Sequence, residues 1–262
     1  MNTFAPTAVD LFAGIGGFSL GLTRAGFAIT HQVEINPFCR SVLARHFPEV
    51  TRHDDVNTFP QAWTGTGHAS PVLVCAGAPC QPFSTEGKRR GVNDERWLWP
   101  AVVDTLRVLR PRYLLMENVP ALLADRHAFG IILADLAALG FDAQWAVLSA
   151  ADFGAPHPRE RLILVAHPQG RDGSQRDLLG QGRERRSPLA AGGLPGLAAH
   201  HRRRAADDWM ARQPDVARLA HGIPRQLDRL HALGNAVVPA LVEHIGRLIL
   251  ADHTDSIART GR

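Results

Sequence analysis

Residues 8–25 read AVDLFAGIGGFSLGLTRA. The apolar run 8–12 predicts a buried strand, the glycines that follow predict a tight turn, and residues 18–25 have helical spacing. A glycine turn between a strand and a helix lets the backbone pass close to a ligand. The stretch therefore predicts an α/β fold with a small-molecule site at the end of its first strand.

The same alternation of strands and helices continues to about residue 166. We predict further strands at 29–34, 72–76, 113–117, 147–148 and 162–165, and helices after Asn36-Pro37 and over 98–109, 129–139 and 238–250. This order predicts a doubly wound, mostly parallel sheet. The domain prediction is a catalytic and cofactor-binding α/β domain over 1–166, an Arg- and Gly-rich insert over 167–214, a segment over 215–251 that returns to the catalytic domain, and a tail over 252–262.

Composition adds weaker constraints. The 262 residues carry a formal net charge of +4, and Lys88 is the only lysine, so the positive charge comes almost wholly from arginine. Arginine suits phosphates and guanine edges, although a GC-rich genome would give the same bias. The three cysteines predict neither a disulfide framework nor a zinc site. Without a signal peptide or an apolar run of about 18 residues, the expected location is the cytoplasm.

A nucleoside site is predicted at the first two strand ends. Phe12, Gly14 and Gly16 form the glycine turn, and Glu34 follows at the tip of the second strand, where a carboxylate can accept both ribose hydroxyls. Asp55, at the end of a third strand region around 54–56, could accept from an adenine amine. These residues alone suit a nicotinamide enzyme nearly as well as a methyltransferase.

A nucleophile is predicted at the next strand end. Cys80 leaves the strand that ends near residue 76, and Pro79 stiffens the turn before it. The loop that follows carries Lys88, Arg89 and Arg90. Their positive charge would lower the pKa of the thiol, and the loop could close over a phosphate backbone. Glu117 ends the following strand, where desolvation would hold its carboxyl partly protonated beside the thiol. Cys39 on a helix and Cys75 inside a strand are predicted to be structural.

Taken together, these motifs resemble the cytosine-5 DNA methyltransferase family. The resemblance covers roughly residues 8–166 and 215–250, and its motifs follow one another in the family's order. They are Asp10–Phe18, Glu34, Asp55, Pro79-Cys80-Gln81, Glu117-Asn118-Val119, Arg159-Glu160-Arg161 and Gly234–Pro239.

The resemblance implies a Rossmann-like fold that binds S-adenosylmethionine, with a small irregular target-recognition insert. It implies that Cys80 attacks C6 of cytosine, that Glu117 protonates N3, that Arg161 supports O2, and that Asn118 holds the Pro79–Cys80 turn. The target base must be flipped out of double-stranded DNA. Implied cofactor contacts are Phe12, Gly14, Gly16, Glu34, Ile35, Asp55, Val56, Pro79, Leu98, Asn235 and Val237, and implied nucleic-acid contacts are Gln81, Ser84, Lys88, Arg89, Arg90 and Arg159.

The chain departs from the family pattern in two places. His157 stands where the family usually has glutamine, and the recognition region is short and partly of low complexity. The expected state is a monomer without a metal, and a cognate restriction endonuclease is compatible with this reading. Three alternatives remain open: an RNA cytosine-C5 methyltransferase on the same scaffold, a catalytically silent nucleic-acid-binding homologue, and a nicotinamide oxidoreductase.

Overall fold

A computed structural model describes residues 5–63, 69–79, 97–155, 157–169, 179 and 226–260. Within these ranges seven strands form one sheet. The strands are β1 (Thr7–Leu11), β2 (Ala28–Val33), β3 (Thr51–His53), β4 (Leu73–Ala76), β5 (Tyr113–Asn118), β6 (Phe141–Ser149) and β7 (Glu160–Pro168). The helices are α1 (Gly17–Ala25), α2 (Pro37–His46), α3 (Phe59–Trp63), α4 (Trp99–Leu109), α5 (Arg126–Ala138), α6 (Gln226–Asn235) and α7 (Pro239–Thr260).

The strand order is β3-β2-β1-β4-β5-β7-β6. Neighbouring strands from β3 to β5 are parallel, whereas β7 runs antiparallel to both β5 and β6. The chain reverses its direction of winding between β1 and β4, and ligands in open α/β sheets bind outside the carboxyl ends of the strands at such a switch point. The predicted mostly parallel, doubly wound sheet is confirmed.

Apolar side chains cover both faces of the sheet, as double winding requires. One core cluster joins the strands to α3, α4 and α5, and its helical members include Phe59, Val102 and Ile132. A second cluster joins the opposite face to α1 and α7, through Leu22 and Val242. Because helices shield both faces, the carboxyl ends of the central strands are the natural opening into the domain.

Helix starts follow local capping chemistry. Asn36 precedes α2 and its side-chain oxygen accepts hydrogen bonds from the backbone N–H groups of Phe38 (2.8 Å) and Cys39 (3.3 Å), with Pro37 at the first helical position. Asp125 caps α5 in the same way through Ala128. That cap explains why α5 begins at residue 126 rather than at 129, the start that apolar spacing predicts.

Further boundaries differ from the sequence prediction, and the strand predicted at 147–148 is the end of the longer β6, which pairs with β7 over its whole length. The third strand is Thr51–His53, so Asp55 lies in the loop after the strand and not within a strand at 54–56. The last helix continues to Thr260 through the predicted tail, because Asp252 accepts a hydrogen bond from the buried Tyr113 and Ser256 contacts Arg112. Except for Gln169 and Leu179, the predicted insert after β7 lies outside the described residues.

The C-terminal stretch Ala232–Ala258 is apolar and long enough to cross a bilayer by composition, which the sequence analysis did not anticipate. The stretch is interrupted between α6 and α7, and α7 packs against α1. The approach is close, since a Cβ on Gly21 would lie 2.6 Å from the carbonyl oxygen of Pro239. A core helix passes the same composition test, so the stretch is weak evidence for a membrane.

Candidate active site

A cavity of about 450 Å³ opens at the carboxyl ends of β1, β2, β4 and β5. Its walls come from the loops that leave these strands, from the start of α4 and from the end of α6. Most of the residues predicted to contact a cofactor line it, namely Phe12, Gly14, Glu34, Ile35, Asp55, Val56, Pro79, Leu98 and Asn235. Glu117, Asn118, Arg159 and Arg161, which were predicted for catalysis and nucleic-acid binding, line the same cavity.

The glycine turn after β1 forms one wall. Phe12 (φ 58°), Gly14 (φ 54°) and Gly16 (φ 90°) all have positive φ, which fits glycine but is uncommon at a phenylalanine. The N–H of Gly14 donates to the Glu34 carboxylate, with 2.7 Å from N to Oε2. Gly16 does not line the cavity, because its backbone faces the ring of Phe47, whose Cε2 would lie 2.7 Å from an added Cβ.

Backbone groups orient Glu34 from both sides. Its Oε1 accepts from the N–H of Asn36 at 2.7 Å, and its Oε2 accepts from Gly14. The side chain of Arg40 donates to the carbonyl oxygens of Glu34 and Ile35 and so holds the main chain at this turn. Each carboxylate oxygen can accept a further hydrogen bond, so the group can receive two hydroxyls from a ligand. Ile35 follows with a 74% exposed side chain, which presents an apolar surface beside the carboxylate.

An acidic turn after β3 forms the opposite part of the wall. Asp55 Oδ1 accepts hydrogen bonds from the backbone N–H and the side-chain amide of Asn57, both at 2.9 Å. These bonds fix one carboxylate oxygen, and Val56 next to it is buried against the core. The turn therefore combines an acceptor with an apolar surface, as binding of a heterocyclic base requires.

A buried ion pair occupies the other end of the cavity. Glu117 is the penultimate residue of β5 and is only 8% exposed, and its Oε1 lies 2.9 Å from Nε of Arg161 on β7. Antiparallel pairing of β5 with β7 brings the two residues together. Burial raises the pKa of Glu117 above its ordinary value, although the positive charges of Arg161 and Arg159 oppose this rise. A carboxyl in this setting can hold a proton and donate it to a ligand nitrogen.

Asn118 connects that end of the cavity to the loop after β4. Its side-chain amide lies 3.4 Å from the carbonyl oxygen of Ala78, two residues before Cys80, and its Oδ1 accepts from the N–H of Val119. Pro79 lines the cavity. Cys80 itself lies outside the described residues, as do the predicted nucleic-acid contacts Gln81, Ser84, Lys88, Arg89 and Arg90.

The family model of the C-5 cytosine-specific DNA methylases matches residues 7–190. The chain belongs to this family. It is 36% identical over 163 residues to the type II methyltransferase M.NgoMIV of Neisseria gonorrhoeae, covering 61% of this chain and 51% of that protein. It is 37% identical over 162 residues to M.NaeI of Lentzea aerocolonigenes, covering 60% and 39%. The matched segment thus spans about half or less of these relatives.

A solved structure shares the fold of this chain over nearly the whole length of the chain. The methyltransferase EhMeth of Entamoeba histolytica superposes with a TM-score of 0.64, covering 95% of this chain and 99% of that chain. Because the sequences are only 14% identical, this likeness concerns the fold alone.

The structure places the side chains of two predicted contact residues, Val237 and Arg159, differently from the sequence prediction. Val237 does not line the cavity; it is 9% exposed and packs on α1, where Gly17 has no side chain to obstruct it. Arg159 lines the cavity, but its Nη1 donates to the carbonyl oxygen of Gly234 at 2.6 Å, so this N–H bonds the protein's own main chain and not a phosphate. The sequence pattern had placed Arg159 among the nucleic-acid contacts.

The structure also adds residues that the motifs did not indicate. Cys39 lines the cavity from the first turn of α2, and burial raises the pKa of its thiol to about 11, so it is a poor nucleophile. Asp54 and Asn36 contribute polar groups to the same wall. The signal for Asn36 was present, since an asparagine before a proline predicts a helix cap at a strand end. Nothing in the spacing singles out Cys39.

Proposed function

We propose that this chain is a DNA cytosine-5 methyltransferase that transfers a methyl group from S-adenosylmethionine to C5 of a flipped-out cytosine, with Cys80 as nucleophile. One observation carries the proposal. A buried carboxyl with a raised pKa, Glu117, shares a single cavity with the nucleoside-type carboxylate Glu34 and with Pro79, the residue that precedes the thiol. Membership of the family and the names of the type II relatives support the same reading.

The residues around the cavity fit the cofactor. Its volume of about 450 Å³ lies in the usual range for small-molecule sites. Glu34 would accept the ribose hydroxyls, Asp55 would accept from the adenine amine, and Ile35 and Val56 would contact the base. Bound there, the cofactor supplies a methyl group on a positively charged sulfur, which is the group that C5 receives.

The protein's part of the chemistry starts from the poor nucleophilicity of C5. The Cys80 thiolate would form a bond to C6 and break the C5–C6 double bond while Glu117 gives its proton to N3, so the displaced electrons form a C4–C5 enamine with a neutral N3 and C5 becomes nucleophilic. Once C5 carries the methyl group, a base takes the C5 proton, the C6–sulfur bond breaks to restore the C5–C6 double bond and return the thiolate, and N3 gives its proton back to Glu117.

Two further residues would hold the reacting groups in place. Arg161, already 2.9 Å from Glu117, would direct its remaining N–H groups to O2 of the base and favour charge on that oxygen. Asn118 would fix the turn before Cys80 through its contact with Ala78. Arg161 would thus act directly on the reacting base, whereas Asn118 would act through the loop that carries Cys80.

The proposed DNA substrate sets a geometric requirement. A cytosine within a duplex cannot reach an enclosed cavity, so double-stranded DNA must release the base by flipping. We further propose that the enzyme acts in the cytoplasm as a monomer, and the type II relatives make a cognate restriction endonuclease a reasonable partner to seek.

The experiment is covalent trapping on a substrate that cannot complete the reaction. A duplex containing 5-fluorocytosine has no C5 proton to lose, so the Cys80 adduct should persist and shift the protein in denaturing electrophoresis when S-adenosylmethionine is present. Cys80→Ser should give no adduct. Cys75→Ser is the matched control, because Cys75 is buried in β4, and it should trap as the wild type does.

A second arm tests the nucleic acid. The same target sequences presented as RNA should give no adduct and no transfer of labelled methyl group. Adduct formation by Cys80→Ser would refute the nucleophile, and trapping on RNA alone would refute the DNA assignment.

A further inference from the structure

Arg159 joins two parts of the chain that are far apart in sequence. It lies just before β7, and its Nη1 donates to the carbonyl oxygen of Gly234, 75 residues later, at 2.6 Å. The acceptor lies in the last turn of α6, where unpaired carbonyl groups make the helix end partly negative. A guanidinium at this position therefore satisfies a helix-end acceptor with a charge-assisted hydrogen bond.

The backbone of Arg159 is fixed independently of its side chain. Its carbonyl oxygen accepts from the N–H of Ala150 at 2.9 Å, at the start of the short 3-10 helix Ala150–Phe153. Its positive charge acts on the carboxyl of Glu117 and lowers the pKa of that group against the effect of burial. The guanidinium thus bonds the end of α6 and acts electrostatically on the buried ion pair, and Arg159 is half-buried.

Asn235, which follows the acceptor Gly234, connects this hydrogen bond to the cavity. Asn235 ends α6 and lines the cavity together with Ala232, as do Glu34 and Gly14. Ala232 is 7% exposed, whereas Asn235 is exposed, so the end of α6 reaches the cavity with little packing around its last residue. The hydrogen bond from Arg159 holds Gly234, the residue next to Asn235, and so restrains the backbone that carries Asn235.

We propose that Arg159 is a positioning residue that anchors the end of α6 and thereby places Asn235 in the cofactor part of the cavity. This inference rests on the proposed function for the identity of the cofactor, and it replaces the phosphate contact that the motif pattern suggested. Arg159 thereby couples the base-binding and cofactor-binding ends of one cavity.

The test compares Arg159→Gln, which loses the charge, with Arg159→Lys, which keeps it, in the full chain. Arg107→Gln is the matched control, because Arg107 is an exposed arginine of α4 that pairs with the exposed Asp104. Three properties are measured: amide hydrogen exchange of peptides covering 226–240 in the ligand-free protein, the affinity for S-adenosylhomocysteine, and the salt dependence of duplex DNA binding.

In Arg159→Gln we expect faster exchange in these peptides and an S-adenosylhomocysteine affinity about tenfold lower, which corresponds to about 1.4 kcal/mol. Arg159→Lys should show exchange rates and an S-adenosylhomocysteine affinity between those of the wild type and Arg159→Gln, because lysine keeps the charge but not the planar guanidinium. The salt slope of DNA binding should stay unchanged, whereas loss of one phosphate contact would reduce it by about 0.9. Arg107→Gln should alter neither exchange nor cofactor affinity.

Each contrary result is decisive. Unchanged exchange in Arg159→Gln would overturn the anchor, and faster exchange with unchanged affinity would overturn its link to the cavity. A shallower salt slope with unchanged exchange would return Arg159 to a phosphate contact. Because exchange is measured without ligand, a wild type that binds no S-adenosylhomocysteine would refute the proposed function while the anchor is still decided by the exchange data.

Discussion

Replacing Asp10 with asparagine should stabilise the protein relative to the wild type as the pH rises. Asp10 is fully buried in β1. Its Oδ2 accepts from the backbone N–H (3.1 Å) and the hydroxyl (2.6 Å) of Ser19, and Cys75 Sγ lies 3.4 Å from its Oδ1. Gln32 completes the cluster by donating to the Ser19 hydroxyl. The carboxyl thus takes the place of the missing side-chain cap at Gly16 and holds the start of α1.

The magnitude follows from the pKa of this carboxyl. Burial, opposed by the hydrogen bonds from Ser19 and Cys75, raises the pKa of Asp10 from 3.8 to about 6. Because the folded state binds the proton more tightly than the unfolded state, the contribution to stability is complete below pH 3.8 and is lost as the pH rises through 6. At about 1.36 kcal/mol for each pKa unit, the whole loss is about 3 kcal/mol, and about half of it falls between pH 5 and 8.

Asparagine removes the titration but keeps the geometry, because its carbonyl oxygen can still accept from Ser19. Urea unfolding should be measured for the wild type and for Asp10→Asn from pH 5 to 8. Over this range the free energy of unfolding of the variant should rise by roughly 1.5 kcal/mol relative to that of the wild type. Asp104→Asn controls for the loss of one exposed carboxyl, since that side chain is 64% exposed. A difference that is constant with pH, or that moves the other way, would refute this account of Asp10.

Two further predictions concern packing and catalysis. Gly21→Ala should lower the free energy of unfolding by about 1–3 kcal/mol in a denaturant titration, because the new Cβ would lie 2.6 Å from the carbonyl oxygen of Pro239. Gly130→Ala is the control: its position in α5 has open space around it, so the same titration should show a slight stabilisation. Glu117→Gln should slow methyl transfer by about 10²–10⁴-fold in single-turnover assays, with cofactor affinity unchanged. In the wild type, methyl transfer should slow as the pH rises through the raised pKa of Glu117, because the carboxyl then loses the proton that N3 needs. Unchanged rates would exclude Glu117 as the proton donor.

The sequence predicted the element types well where local chemistry determines them. The strand, glycine turn and helix at 8–25 and the asparagine cap before α2 are confirmed within one or two residues. Spacing performed worse where tertiary contacts extend an element, as in α7, which the contacts of Asp252 and Ser256 continue to residue 260. Apolar periodicity reports the buried face of a helix and carries no information about polar contacts at its end.

The candidate site divides in the same way. A strand ending in a glycine turn, and carboxylates at later strand ends, predict which loops surround a ligand, because parallel strands present their carboxyl ends at one edge. The partner of a long side chain is not written in the motif. Arg159 and Arg161 stand two residues apart in one pattern, yet Arg161 meets Glu117 and Arg159 meets the end of α6.

Apolar period, glycine turns and capping residues act over short distances, and they were sufficient to predict the sheet, its winding and the loops that line the cavity. The folded structure was needed to show that Asp10 caps α1 from within β1, that Val237 packs on Gly17 outside the cavity, and that Arg159 bonds Gly234. Such contacts depend on distances between elements, and the packing of the sheet against its helices sets these distances.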